Sequence, residues 1–412
     1  MEVNKDLKRF DMINRVERIA AITEDELASR WNKLRRAMDK KDLGAVCFTP
    51  DPAMIWWMTL SSSKMPDIFI FPLEGDPIAV YKTRRTSKSG FDPYVFPGRT
   101  PVEGTVFNWI ENRNDISRQE FRDICRGMRV GIVGMRGLQT WFGDLMVSEG
   151  IEFEDFSHDM DLIKYKKTEF DQDLLRMSAK MHCDFHKAIP SVLRRGRTEK
   201  EVASELHELA MNMGSSGEDM CLLIHSFDLK GNSTPMGLQY PPFREYKDGD
   251  LIEILLETSG PGGLFTACAR YYAFGNPEKE FMDRYNVACE ANDLAGKLLR
   301  PGATLRGTAD KVNEFIRSKG FYTDNCCYLH GMNYTMGEYP VLTDNSIPVI
   351  DKKIDEDIPI EAFMQSLAHP HVGKPLGQYT DREAMVRVID TWYITDEKTY
   401  RATSIPRDVT VL

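Results

Sequence analysis

The chain has 412 residues, 42% hydrophobic and 28% charged, more than one ordinary core takes up and comfortable for two domains. Its net charge of −10 speaks against a nucleic-acid duplex or an anionic membrane as main partner, and no apolar run approaches the length that spans a bilayer. The eight cysteines form no CxxC pair and the N-terminal MEVNKDLKRFD has no apolar stretch, so reduced thiols, no secretory leader and a cytoplasmic location are expected.

In chain order, residues 24–41 place Leu27, Trp31, Leu34 and Met38 at helical spacing, which predicts an amphipathic helix. Residues 43–48 read as a buried strand. Residues 67–72 and 77–81 read as two strands joined by the turn Leu73-Glu74-Gly75-Asp76, and 130–133 as another strand before a helix at 137–149. The pattern predicts an α/β domain over residues 1–162. Beyond it lie a long helix at 169–192 and a second at 198–213, opened by the capping box of Thr198 and Glu201. Strands follow at 220–226, 251–257 and 264–274. Helices resume at 278–299 and 304–319, split by Arg300-Pro301-Gly302, with Thr304 as a cap. Strands and loops fill the rest, so 163–412 reads as an α+β domain.

Five segments, in this order, carry a family resemblance: Leu162-Ile163-Lys164-Tyr165-Lys166-Lys167-Thr168-Glu169, Tyr246-Lys247-Asp248-Gly249-Asp250-Leu251-Ile252, Leu299-Arg300-Pro301-Gly302-Ala303, His330-Gly331 with Glu338-Tyr339-Pro340, and Arg387-Val388-Ile389-Asp390-Thr391. Together they resemble the creatinase and Xaa-Pro aminopeptidase (prolidase, M24-like) family, with its pita-bread C-terminal domain. The resemblance implies two metal ions held by two aspartates, one histidine and two glutamates. Those positions fall on Leu255, near Ala267, on His330, on Ala368 or His369, and on Ile389. The metal-free creatinase branch matches more closely. There the substrate-binding glutamate falls on Ala269 and the acid/base histidine on Ser233; the family's second histidine falls on Gly337.

The residues themselves supply a candidate set, each with a plain structural alternative. His330 suits an acid, a base or an oxyanion donor, or a structural hydrogen bond. Alternation puts Glu253, Leu255 and Glu257 on one strand face, so Glu257 is either a pocket carboxylate or a solvated edge. Glu338, flanked by Tyr334, is a pocket carboxylate or a turn cap. Cys268 and Arg270 share a side of the next strand: a thiol nucleophile or a core residue, and a carboxylate clamp. His225 leads into the loop of Ser233 and could replace the missing acid/base. His369 and His371, joined by His330, make either a three-histidine metal site or an uncoordinated loop. By the resemblance, Arg84 or Arg85 would touch an anionic substrate group in the partner protomer's site; a solvated basic turn is the alternative.

The leading expectation is thus a cytoplasmic homodimer, each site completed by the partner's N-terminal domain. It would be a metal-independent, cofactor-free hydrolase or lyase of the creatinase type, cutting a C–N bond in a small carboxylate-bearing metabolite. His330 would move protons, Glu257 or Glu338 would orient them, and Arg270 would bind the carboxylate, with Cys268, Ser233, His369 and Tyr334 as further contacts. The alternatives are a non-catalytic binding module and a mononuclear histidine-metal enzyme.

Overall fold

The structure is a computed structural model that describes residues 25–59, 66–81, 98–99, 111–113, 116–215, 220–233, 243–260, 263–323, 329–332, 338–341, 359–378 and 385–412. The chain divides into two compact units, Met1–Ile163 and Lys164–Leu412.

In the first unit the amphipathic stripe forms helix α1 over residues 25–39. It is followed by β1 (Leu43–Phe48), α2 (Pro52–Thr59), β2 (Ile68–Pro72), β3 (Ile78–Val80), β4 (Gly98–Arg99), β5 (Glu111–Arg113), α3 (Arg118–Ile124), β6 (Arg129–Val133), α4 (Thr140–Ser148), β7 (Phe153–Asp155) and α5 (Ser157–Lys164). The strands form one mixed sheet in the order β4-β5-β3-β2-β1-β6-β7. Ala45, Cys47, Ile68, Ile70, Val130 and Ile132 face Phe121, Phe142 and Met146 from α3 and α4 in a closed apolar core. Ser117 and Glu120 cap α3 reciprocally, which fixes where that helix begins.

The second unit opens with α6 (Glu169–Val192) and α7 (Glu199–Asn212), each started by a capping box, Thr168 with Asp171 and Thr198 with Glu201. Strands β8 (Cys221–Asp228), β9 (Asp250–Ser259) and β10 (Phe265–Ala273) form an antiparallel run. Helices α8 (Lys279–Leu298) and α9 (Leu305–Ser318) come next; Thr304 caps α9 by accepting from the Gly307 N–H. The rest builds β11 (His330–Gly331), β12 (Glu338–Val341), β13 (Gln365–Ala368), β14 (His371–Val372), β15 (Val386–Arg387), β16 (Ile389–Ile394), β17 (Thr399–Arg401) and β18 (Thr410–Val411). Nine of these strands make one sheet with the path β12-β11-β13-β16-β10-β9-β8, to which β17 and β18 add at β16 and β10; β14 and β15 pair separately.

Helices α6 and α7 cover Leu222, Ile224, Ile252, Ile254, Leu256 and Tyr272. Helices α8 and α9 cover Ala368, Trp392 and Ile394, together with the end of the sheet at Phe227, Leu251 and Tyr271. Close approach at α8 depends on Gly296: a Cβ there would lie 2.4 Å from the Trp392 ring. Among the described residues no helix is long and apolar enough to cross a membrane.

Candidate functional site

Antiparallel pairing carries one face of the second unit's sheet from strand to strand. Glu253 stands opposite His225 and Tyr271, Leu255 opposite Leu223 and Ala269, and Glu257 opposite Cys221 and Ala267. Ala269 then pairs with Ile389, Thr391 with Leu367, and Leu367 with His330. Paired residues point to the same side, so all of these share a face. The centre of that face is apolar. Leu255, Phe265, Ala267, Ala269, Met332, Leu367 and Ile389 are buried together, with Leu223 packed against them. Gln365 pins the cluster by donating from Nε2 to the carbonyls of Phe265 and Met332, at 3.1 and 2.6 Å.

A line of polar side chains borders this patch. His330 Nδ1 donates to the Gly331 carbonyl at 2.9 Å, which leaves Nε2 as the acceptor nitrogen. Burial lowers the His330 pKa, so the ring is neutral at pH 7. Its ring centroid lies 5.4 Å from that of His369. Burial, followed by the neighbouring His330, His371 and Arg387, pushes His369 well below the usual imidazole range. His371 pairs with Arg387 across β14 and β15. Arg387 Nε donates to Glu253 Oε1 at 2.7 Å, Glu253 Oε2 stands 3.8 Å from His225 Nδ1, and His225 Nε2 meets Ser233 Oγ at 3.0 Å. Glu257 lies further along β9. It is 5% exposed, its Oε1 takes no hydrogen bond among the described residues, and burial raises its pKa to about 7.

The structure therefore places His330, His369, Glu257, His225 and Ser233 on or beside one face. Two members of the line, Glu253 and Arg387, were not singled out as site residues from sequence. Strand alternation put Glu253 beside Glu257, but nothing local joins Arg387 to a strand whose residues precede it by more than a hundred positions.

Cys268 and Arg270 need correction. They point to the other side of β10, because Cys268 pairs with Asp390 and Leu256 while Ala267 and Ala269 face the site. Arg270 is fully engaged in structure. It donates to the carbonyls of Ala269, Ile389, Ile405 and Pro406 and binds Asp390 Oδ1 at 2.7 Å, so it is no substrate clamp. Cys268 is buried with its thiol pKa pushed up to about 12 by desolvation, the opposite of a nucleophile beside His330. Glu338 sits in β12 opposite Gly331. Tyr334, Arg84 and Arg85 lie outside the described residues.

Nor do the described residues of this face fit a resident metal. No group of three or more His, Cys, Asp or Glu among them stands close enough to hold an ion, which also removes the expected site of His330, His369 and His371. The centre, where ligands would have to meet, offers hydrocarbon.

The sequence pattern of metallopeptidase family M24 matches residues 173–396, more than half of the chain. The chain belongs to metallopeptidase family M24. It is 27% identical over 159 residues to a probable dipeptidase, PepE, of Mycobacterium tuberculosis (strain ATCC 25618 / H37Rv), a stretch covering 38% of this chain and 41% of that relative. The chain thus spans about two fifths of the length of the curated relatives it matches. The Xaa-Pro dipeptidase from Bacillus anthracis superposes with a TM-score of 0.72 at 18% identity, over 94% of this chain and 100% of that one. The prolidase from Pyrococcus horikoshii OT3 gives 0.70 at 18% identity, over 92% and 99%. These likenesses establish the pita-bread fold with its N-terminal domain. M24 members are hydrolytic peptidases. The expectation of a metal-independent creatinase-type hydrolase or lyase is overturned: the matching family is one of metallopeptidases, and the relatives and neighbours found include proteins named dipeptidases and prolidases.

Proposed function

We propose that the C-terminal unit recognises short peptides, the ligand class of the peptidases it resembles. The ligand class is supported by family M24 itself and by the dipeptidases among the relatives. One observation bears on how such a peptide would sit. Leu255, Ala267 and Ile389 meet inside one apolar cluster at the centre of the face, a hydrocarbon floor that suits the apolar side chains of a short peptide. Beside the cluster, the buried Glu257 carboxyl and the Glu253–Arg387 pair supply polar groups that a peptide's backbone and termini could meet.

The test is calorimetric titration of the purified full chain with a dipeptide panel, Xaa-Pro peptides included. Saturable binding of at least one dipeptide is expected; a panel without a single binder would overturn the reading.

A further inference from the structure

The arrangement of Ser233, His225 and Glu253 goes beyond peptide recognition and stands on separate observations. The turn that returns the chain from β8 is tightly tied. Asp228 Oδ1 accepts from the backbone N–H groups of Lys230 and Asn232 at 2.9 Å each, and Gly231 N donates to the Asp228 carbonyl at 2.8 Å. Gly231 has φ +74, and a side chain there would strike Arg284 and Phe281. Arg284 holds the turn from outside by donating to the carbonyls of Lys230 and Gly231. Ser233 then bridges back to Phe227, which sets its hydroxyl diagonally beside His225.

The result is an ordered donor–acceptor series. Ser233 is half-buried and within reach of solvent. Its Oγ lies 3.0 Å from His225 Nε2. The side chains of His225 and Glu253 are 4% and 1% exposed, and Glu253 Oε2 stands 3.8 Å from His225 Nδ1 and takes no hydrogen bond among the described residues. Arg387 fixes the carboxylate through its other oxygen. A proton on Nδ1, the ring nitrogen nearer the Glu253 carboxylate, leaves Nε2 as the acceptor for the Ser233 proton. Such contacts are commonly loose before a ligand closes them.

We infer that Ser233 is a nucleophile for ester-type acyl donors, with His225 as its base and Glu253 as the positioning residue. His225 Nε2 takes the hydroxyl proton as Oγ adds to the acyl carbon. The ester C–O bond then breaks, and the leaving oxygen departs as an alcohol with the proton from Nε2. Water attacks the acyl-serine, giving one proton to Nε2 and the carboxylic acid to solvent; that proton restores Ser233.

The experiment uses a fluorophosphonate probe on the full chain, followed by peptide mass spectrometry, with p-nitrophenyl acetate as a second acyl donor. One adduct on Ser233 is expected, and none at that peptide in Ser233→Ala. His225→Ala and His225→Gln are expected to slow labelling about 100-fold. Glu253→Gln is expected to slow it and Glu253→Asp to restore part of the rate, a dependence on charge that a packing role would not produce. Thermal melts confirm that each variant is folded. An unlabelled Ser233 in folded wild type, or a labelling rate indifferent to both His225 variants, would overturn the inference. Neither result depends on whether dipeptides bind.

Discussion

Single residues on the site face are governed by what surrounds them rather than by their own type. Glu253 and Glu257 sit two positions apart on β9, yet Glu253 is matched by Arg387 while Glu257 borders Cys221 and Ala267. Burial raises Glu257 from 4.5 to about 7. The sign follows: the folded chain holds a proton here that the unfolded chain releases above pH 4.5, so Glu257 lowers stability progressively as pH rises from about 4.5 to about 7 and costs its full amount above that. The shift corresponds to roughly 3 kcal/mol as an upper figure. Glu257→Gln is therefore expected to be more stable than wild type at pH 8 and nearly equal to it at pH 4.5, read by urea denaturation at both. Equal stability at pH 8 would show that the carboxylate is solvated. Arg270 illustrates the limit of local reading. Alternation shows that it shares a side with Cys268, but which side faces the site is decided by Asp390, 120 residues on.

Helices and their ends were the most legible elements. The 169–192 helix is observed over those same residues, and Thr168, Thr198 and Thr304 cap as hydroxyl residues before an apolar-periodic run do. Strands β8 to β10 were found within a few residues, since each is long and apolar. The elements after residue 321 were legible only as strands and loops, because β11, β14 and β15 are two residues long and exist through distant pairing. Packing between elements was not legible either. Gly296 looks like a helix weakness in sequence, but in α8 it is the space that Trp392 fills, and Trp392 cannot swing away because its Nε1 donates to Asn292 Oδ1 at 3.0 Å. Gly296→Ala is expected to cost about 1–3 kcal/mol through overpacking, despite alanine's better helix propensity. Adding Trp392→Phe should recover part of that loss in a double-mutant cycle of thermal melts. A stabilised single variant would mean that the ring is free to move.

Across the whole molecule, buried imidazoles set the acid limit. Burial pushes His182 down to about 4 and lowers His186, His330 and His369 as well. Below pH 6.5 the unfolded chain takes up protons that these folded rings refuse, so stability falls as pH drops. Glu257 acts in the opposite direction between 4.5 and 7, one group against four. Urea midpoints are expected to decline from pH 6.5 to pH 5; a flat profile would contradict neutral burial of these rings. Arg270 carries a consequence of another kind, in time rather than energy. Its guanidinium sits at the centre of the sheet, but the groups that satisfy it, Asp390 and the carbonyls of Ile405 and Pro406, follow it by 120, 135 and 136 residues. While the chain is being synthesised, β10 emerges long before those partners exist, with a cation that has no place in a closed core. The cation of this strand stays unmatched until those residues are made, so closure of the unit is expected late in synthesis, and its half-made sheet is the stage at which it most needs shelter from aggregation.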